Sequence, residues 1–137
     1  MRRHMRLPHT EKGCIMEYRE LTCIVCPKGC QMRVSMQDGQ ITEITGNTCR
    51  RGAEYAGREV THPVRTVTGT VRLYGGRVSV LPVKTAKEIP KELVMDCARA
   101  LAQASVQAPV RMGDVVIADF AGTGTDIVAT RSVPAAE

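Results

Sequence analysis

Residues 21–52 read LTCIVCPKGCQMRVSMQDGQITEITGNTCRRG, and the structure predicted for the first half of the chain follows from this segment. Three cysteines fall within eight residues, and a fourth follows after 18 further residues. Those 18 residues hold two short alternating segments separated by Asp38-Gly39. An Asp-Gly pair between such segments is typical of a β-hairpin, because the turn needs positive φ angles. We therefore predict a hairpin over residues 31–45 that returns the chain to the three-cysteine loop.

The four cysteines of this stretch are candidate metal ligands. They are Cys23, Cys26, Cys30 and Cys49. A tight loop can aim three thiolates at one point, and the hairpin would bring the fourth back to them. Four thiolates at one place suit an iron–sulfur cluster or a structural zinc ion, and redox-active thiols are a third interpretation.

The spacing favours a cluster over zinc. Zinc modules usually present their ligands as two CxxC-like pairs, whereas Cys49 is followed by Arg50-Arg51-Gly52 and starts no second pair. A single zinc ion holds its four sulfurs at about 2.3 Å, so they crowd together. A cubane spreads its ligands over separate irons, which suits three ligands from one loop and one distant ligand. We predict a [4Fe–4S] cluster, with zinc as the alternative.

Two cations lie beside these cysteines in the sequence. Lys28 is part of Pro27-Lys28-Gly29, a turn that can point backbone N–H groups at sulfide, and Arg51 lies two residues beyond Cys49. Nearby cations and hydrogen bonds help to set the reduction potential of a cluster. Lys28 and Arg51 are therefore candidate cofactor-binding residues, with a solvated helix charge as the alternative for Arg51.

The whole chain predicts an α+β fold with a small cysteine-rich lobe and a β-rich lobe. Residues 1–17 are basic and unpatterned, and we expect a flexible tail. Residues 18–62 would form the cluster-binding lobe, with the hairpin and a short helix over about 49–60. His62-Pro63 marks a boundary, because a residue before proline avoids the helical region. Residues 63–133 would form an α+β lobe that docks a partner.

The second lobe begins with apolar alternation on both sides of Tyr74-Gly75-Gly76, which predicts a second hairpin over residues 64–83. Two later apolar runs, 114–117 and 127–130, predict further strands. The glycines of Gly122-Thr123-Gly124 lie between them and indicate a turn. This pair of glycines lacks the third glycine and the following helix of a dinucleotide-binding motif.

One amphipathic helix is predicted from Pro90 to about Ala104, since proline suits a first helical turn. The apolar side chains recur at helical spacing: Leu93, Val94, Cys97, Ala98 and Leu101. Cys97 is therefore expected to be a small buried hydrophobe. Cys14 in the tail is expected to be an incidental thiol, and His62 a turn residue.

Composition narrows the possible functions. No apolar run among the 137 residues approaches the ~18–20 residues of a membrane span, and the N-terminus lacks the apolar segment of a secretory signal. We expect a cytoplasmic protein, where a cysteine cluster more often binds metal or does redox work than forms disulfides. The net charge of +5 suits an anionic cofactor or an acidic partner. Only 3% of residues are aromatic, so nucleic-acid binding by stacking is not expected.

Several segments together resemble the small CxxC-motif protein family of uncharacterised function. They are 21–30 (LTCIVCPKGC), 46–52 (GNTCRRG), 61–67 (THPVRTV), 82–85 (PVKT), 90–93 (PKEL) and 122–131 (GTGTDIVATR). Members of that family occur mostly in anaerobic bacteria. They are encoded beside FAD-dependent dehydrogenases of the glycerol-3-phosphate dehydrogenase type and a second flavin or pyridine-nucleotide oxidoreductase. The resemblance implies an electron-transfer subunit of such a flavoprotein complex.

Residues 23–72 are also similar to the N-terminal [4Fe–4S] domain of molybdopterin oxidoreductases. That domain has a CxxCxxxC loop, a hairpin with an Asp-Gly turn, a distal Cys-x-x-Gly and a His-Pro-x-Arg segment. The likeness implies that the four cysteines are cluster ligands, and it puts Arg51 where that family often has a lysine between cluster and pterin. The gap before Cys49 is shorter here, and 137 residues cannot hold the pterin-binding domains. Molybdenum, pterin and catalysis are therefore not carried over.

The sequence thus predicts an iron–sulfur subunit that passes electrons between a partner flavoprotein dehydrogenase and another carrier. It predicts no catalytic residue in this chain and leaves open whether the chain is an enzyme by itself. The alternative is a structural zinc-binding assembly module with no redox role.

Overall fold

The computed structural model describes residues 15–137 and has ten strands and two α-helices. This mixture confirms the predicted α+β fold class. The chain divides into two compact units, the first ending at Thr61 and the second running from His62 to Glu137. In the described part of the chain, no helix has both the length and the apolar character needed to cross a membrane.

The first unit contains a three-stranded antiparallel sheet and one helix. In chain order and in sheet order, the strands are β1 (Met16–Thr22), β2 (Gln31–Gln37) and β3 (Gln40–Thr45). β2 and β3 form the predicted hairpin, and Asp38 and Gly39 at its turn have φ angles of 51° and 79°. The predicted short helix is also present as α1 (Arg50–Thr61), shifted by one residue at each end.

β1 corrects the predicted extent of the tail, which included residues 1–17. Residues 1–14 lie outside the described part of the chain, but Met16 and Glu17 pair with β2. Every residue of β1 except the half-buried Leu21 is exposed. An edge strand exposed on both faces needs no alternation of apolar and polar residues, so no periodic signal marks it in the sequence.

The core of the first unit lies between β2 and α1. Met32, Val34 and Met36 on one face of β2 are buried, as their alternation predicts. A β-carbon at Gly52 in the first turn of α1 would lie 3.5 Å from the Sδ of Met32 and 3.7 Å from the Sγ of Cys23. The glycine therefore lets the start of α1 approach Cys23 closely.

The second unit is built on a five-stranded sheet. Its strands are β5 (Thr68–Tyr74), β6 (Val80–Thr85), β8 (Ser105–Gln107), β9 (Val115–Ile117) and β10 (Ile127–Ala129). They are arranged in the order β8-β5-β6-β10-β9. β5 and β6 form the predicted second hairpin, which begins at Thr68 and not at residue 64 and which ends at Thr85. β9 and β10 are the two predicted later strands.

Three short strands of this unit are not predicted from the sequence. β8 pairs in parallel with β5, and β4 (Val64–Arg65) pairs with β7 (Ile89–Pro90) outside the main sheet. Segments of two or three residues are too short to show an apolar period. These short strands pair because the packing of the rest of the unit places them next to their partner strands.

The second helix, α2 (Val94–Gln103), lies within the predicted range. Lys91–Leu93, directly before the helix, form a separate 3₁₀ turn, and Pro90 belongs to β7 instead of the helix. The helix stops at Ala104, whose backbone is extended. The predicted helix is thus confirmed, with a start four residues later.

Cys97 lies on the buried face of α2. It is fully buried, as predicted, and burial raises the pKa of its thiol. Leu101 on the same face packs over Gly69 of β5, where a β-carbon would lie only 2.8 Å from the leucine Cδ1. These contacts join the helix to the sheet.

Candidate metal centre

Cys23, Cys26 and Cys30 lie in the loop that joins β1 to β2. The backbone N–H of Cys23 donates a 2.8 Å hydrogen bond to the carbonyl oxygen of Cys30, which closes the base of the loop. Within the loop, the N–H of Gly29 reaches the carbonyl oxygen of Cys26 at 3.4 Å. Gly29 has a φ of 62°, a conformation that glycine adopts without steric cost. The loop therefore bends sharply between Cys26 and Cys30.

Cys49 reaches the same region because the chain turns tightly after β3. Gly46 has a φ of 84°, and a β-carbon there would collide with the carbonyl oxygen of Gln31 at the start of β2. The side-chain amide of Asn47 then donates to the carbonyl oxygen of Cys49 at 3.3 Å. The N–H of Gly52 donates to the same oxygen at 3.2 Å, so α1 begins directly after Cys49.

The four cysteines line one cavity of about 220 Å³. Its complete lining is Cys23, Val25, Cys26, Lys28, Cys30, Thr48, Cys49, Arg51 and Gly52. The tertiary structure thus brings together all four predicted ligands and both predicted cations. Within residues 15–137, no three Cys, His, Asp or Glu side chains are grouped closely enough to hold a single metal ion. The thiols surround a space and do not meet at one point.

The cysteines differ in their exposure to solvent. Cys23 is buried, with 5% of its surface exposed, because β2 and the start of α1 cover it. Cys30 is half-buried, whereas Cys26 and Cys49 are exposed. The cavity therefore has a covered side at Cys23 and an open side at Cys26 and Cys49.

Thr48 is a member of the site that the sequence does not single out. Its Oγ1 lies 3.1 Å from the Sγ of Cys30. This hydrogen bond is the main cause of a lowered pKa of the Cys30 thiol, and the positive charge of Lys28 acts in the same direction. Threonine or serine next to a cysteine is too common in sequences to indicate a hydrogen bond to a metal ligand. The contact here also joins residues 18 positions apart, so the sequence gives no sign of it.

The electrostatics of the cavity are positive. Both charged residues of its lining, Lys28 and Arg51, are cations. The first turn of α1 contains no acidic residue and carries Arg50 and Arg51 instead. Arg50 is paired with Glu54 at 2.7 Å, whereas no ion pair joins Arg51 to any residue of the described chain.

Cys97 and His62 are not part of the lining of the cavity. Cys97 is buried against the sheet of the second unit. His62 is an exposed residue at the bend between α1 and β4. Cys14 lies outside the described part of the chain.

The chain is thus a small α+β protein whose first unit gathers four cysteines and two cations around one cavity. Residues 50–131, more than half of the chain, match a family described as a protein of unknown function, DUF1667. The chain belongs to that family. The match begins at Arg50, so all four cysteines of the cavity precede it, and the family assignment carries no information about them.

Among solved structures, the NMR structure of the Clostridium perfringens protein CPE0013 is similar, with a sequence identity of 27%. The similarity covers 56% of this chain and 88% of the other, with a TM-score of 0.47. None of the curated proteins matches the chain significantly.

Proposed function

We propose that this protein is an iron–sulfur electron-transfer subunit. Cys23, Cys26, Cys30 and Cys49 would hold one [4Fe–4S] cluster. The observation that carries the proposal is the common cavity of about 220 Å³ that these four cysteines line.

The size of the cavity fits a cluster better than a single ion. Zinc with four thiolates at about 2.3 Å holds the sulfurs roughly 3.8 Å from each other, which leaves no room between them. A cubane places inorganic sulfide and iron in the space that the thiolates enclose. The lining residues other than the cysteines include no carboxylate and no histidine that would compete as ligands.

The start of α1 supports an anionic occupant. A helix N-terminus carries a partial positive charge, and cations in the first turn are normally unfavourable there. Here Arg51 and Gly52 of the first turn line the same cavity as the four thiols. Four thiolates and the cluster core carry a net negative charge, which would offset this accumulation of positive charge.

The residues around the thiols would tune and protect the site. Thr48 would donate its hydroxyl to the sulfur of Cys30, as the 3.1 Å contact allows. Lys28 and Arg51 would favour the reduced, more negative state. Val25 and the Gly52 turn would exclude water from the covered side of the cavity. Hydrogen bonds, charge and solvent exclusion are the means by which a protein sets a cluster potential.

The proposed electron donor and acceptor are inferred from the resemblance to the small CxxC-motif family and to the cluster domain of molybdopterin oxidoreductases. The cluster supplies one-electron transfer when it is bound. The donor would be an FAD-dependent dehydrogenase of the glycerol-3-phosphate dehydrogenase type, and the acceptor a second flavin or pyridine-nucleotide oxidoreductase. Substrate chemistry would belong to the dehydrogenase, in the cytoplasm.

The decisive experiment is metal and sulfide analysis of the protein produced and purified without oxygen. We expect about four iron and four acid-labile sulfide per chain, with broad absorption near roughly 400 nm that bleaches with dithionite. Replacing any one of the four cysteines by alanine should remove most of the colour. Cys97→Ala is the matched control and should leave iron and sulfide unchanged.

The same measurement separates the cluster from its alternative. A structural zinc module would be colourless, with about one zinc and no sulfide per chain. That result would contradict the proposal. For a brown protein, anaerobic mixing with an FAD-dependent dehydrogenase of the glycerol-3-phosphate dehydrogenase type, reduced by its substrate, should bleach the cluster absorption.

A further inference from the structure

We propose that the open side of the cysteine cavity is a docking face for a redox partner whose own cofactor is bordered by acidic side chains. This face consists of Cys26, Cys49, Lys28 and Arg51 and is called the basic rim below. The inference rests on the proposed cluster. It identifies the face through which electrons enter and leave the cluster, and the charge of the partner surface that binds there.

Burial determines the side of the cavity that a partner can reach. Cys23 is only 5% exposed and lies under β2 and the first turn of α1. Cys26 and Cys49 are both exposed. Electron transfer weakens steeply with distance, so a partner must approach along the side of Cys26 and Cys49.

Charge determines the kind of partner. Lys28 and Arg51 are both exposed, and no carboxylate lies in the lining of the cavity. Arg50 beside them has a side-chain exposure of 91%, and its pairing with Glu54 is therefore open to solvent. Such a rim attracts negative surfaces and speeds their encounter.

An exposed apolar residue lies in the same loop as Cys26 and Lys28 of the basic rim. Ile24, next to Cys23 in the loop, is 69% exposed although it is a large apolar residue. Apolar contacts with surrounding charged groups are the usual anatomy of a protein–protein interface. A second copy of this chain would present its own positive charges to the rim and be repelled. A nucleic acid would find no aromatic residue in the lining of the cavity on which its bases could stack. An acidic protein surface is the occupant that satisfies both features.

The test uses small oxidants of opposite charge on the dithionite-reduced holoprotein. Stopped-flow traces would give rate constants for anionic hexacyanoferrate(III) and cationic hexaamminecobalt(III) at about 0.1 M ionic strength, where charges beyond about 10 Å are screened. A change in reduction potential alters both rates in the same direction, so the ratio of the two rates isolates the local charge. Lys28→Glu and Arg51→Glu should each lower the anion-to-cation ratio by roughly tenfold.

Arg58→Glu is the matched control, because it makes the same charge change seven residues along α1, about 10 Å from Arg51. Its ratio should stay within about twofold of the wild-type ratio. Arg51→Gln gives a second variant with the charge removed but not reversed, and its ratio should fall between those of wild type and Arg51→Glu. Poly-glutamate should slow hexacyanoferrate(III) oxidation of the wild type but not of the two rim variants.

The outcomes separate this inference from the proposed function. A brown protein whose ratio changes equally in Arg51→Glu and Arg58→Glu would overturn the basic rim alone. Protection by duplex DNA without protection by poly-glutamate would also overturn it, in favour of nucleic acid. A protein without iron and sulfide would overturn the rim together with the cluster.

Discussion

Gly46 lies so close to Gln31 that a β-carbon on the glycine would collide with the carbonyl oxygen of Gln31. This approach joins the end of the hairpin to its beginning. It is the reason that Cys49, three residues later, returns to the loop of the other three cysteines.

We expect Gly46→Ala to destabilise the first unit by about 2–4 kcal/mol, since it combines a steric collision with an unfavourable positive φ. Gly39→Ala is the control, because Gly39 has a φ of 79° but no atom within 4 Å of its β-carbon position. That variant should lose only about 1 kcal/mol. Urea unfolding followed by circular dichroism measures both, and equal losses would argue against the close approach.

Removal of the rim cations should lower the reduction potential of the proposed cluster. A nearby positive charge stabilises the more negative, reduced state, so Lys28→Gln and Arg51→Gln should each lower the midpoint by roughly 20–60 mV. Dye-mediated titration under argon measures the potential. Arg58→Gln should shift it by less than about 10 mV, and a shift upward in the rim variants would contradict this assignment.

Thr48 should control the acidity of the Cys30 thiol in the metal-free protein. The hydrogen bond from Thr48 lowers the pKa of that thiol, so its loss in Thr48→Val should move the pKa upward. At a fixed pH below this pKa, less thiolate is present and alkylation is slower. The rate of iodoacetamide labelling at Cys30, followed by mass spectrometry from acid to alkaline pH, measures the change. Thr48→Ser keeps the hydroxyl and should retain the wild-type profile.

Cys97 should behave as part of the core of the second unit. It is fully buried, and burial raises the pKa of its thiol, so it should resist thiol reagents until the protein unfolds. Cys97→Ser should destabilise the protein by about 1–3 kcal/mol, because a hydroxyl is buried in an apolar site. Cys97→Val keeps an apolar side chain and should lose less stability than the serine variant. Chemical denaturation measures both, and rapid labelling of Cys97 in the native protein would contradict its placement.

Local turn chemistry makes several elements predictable from sequence. Asp38-Gly39 is predicted correctly as a hairpin turn, because both residues adopt positive φ there. Gly75 also has a positive φ, but the connection from β5 to β6 spans residues 75–79 and is not a two-residue turn. The helix α2 is predicted from the spacing of its apolar residues. The edge strand β1 is not predicted in this way, because it buries too little apolar surface to require alternating apolar and polar residues.

For the candidate site, the four candidate thiols follow from the sequence, since their spacing and the intervening hairpin are local features. That Cys23 is covered while Cys26 and Cys49 are open, and that Thr48 contacts Cys30, follows from the folded structure alone. The burial of Cys23 and the contact of Thr48 with Cys30 depend on how α1 packs on β2. Such packing brings together residues that are far apart in the sequence and that share no periodic pattern. The positive, open side of the cavity is therefore a property of the folded chain.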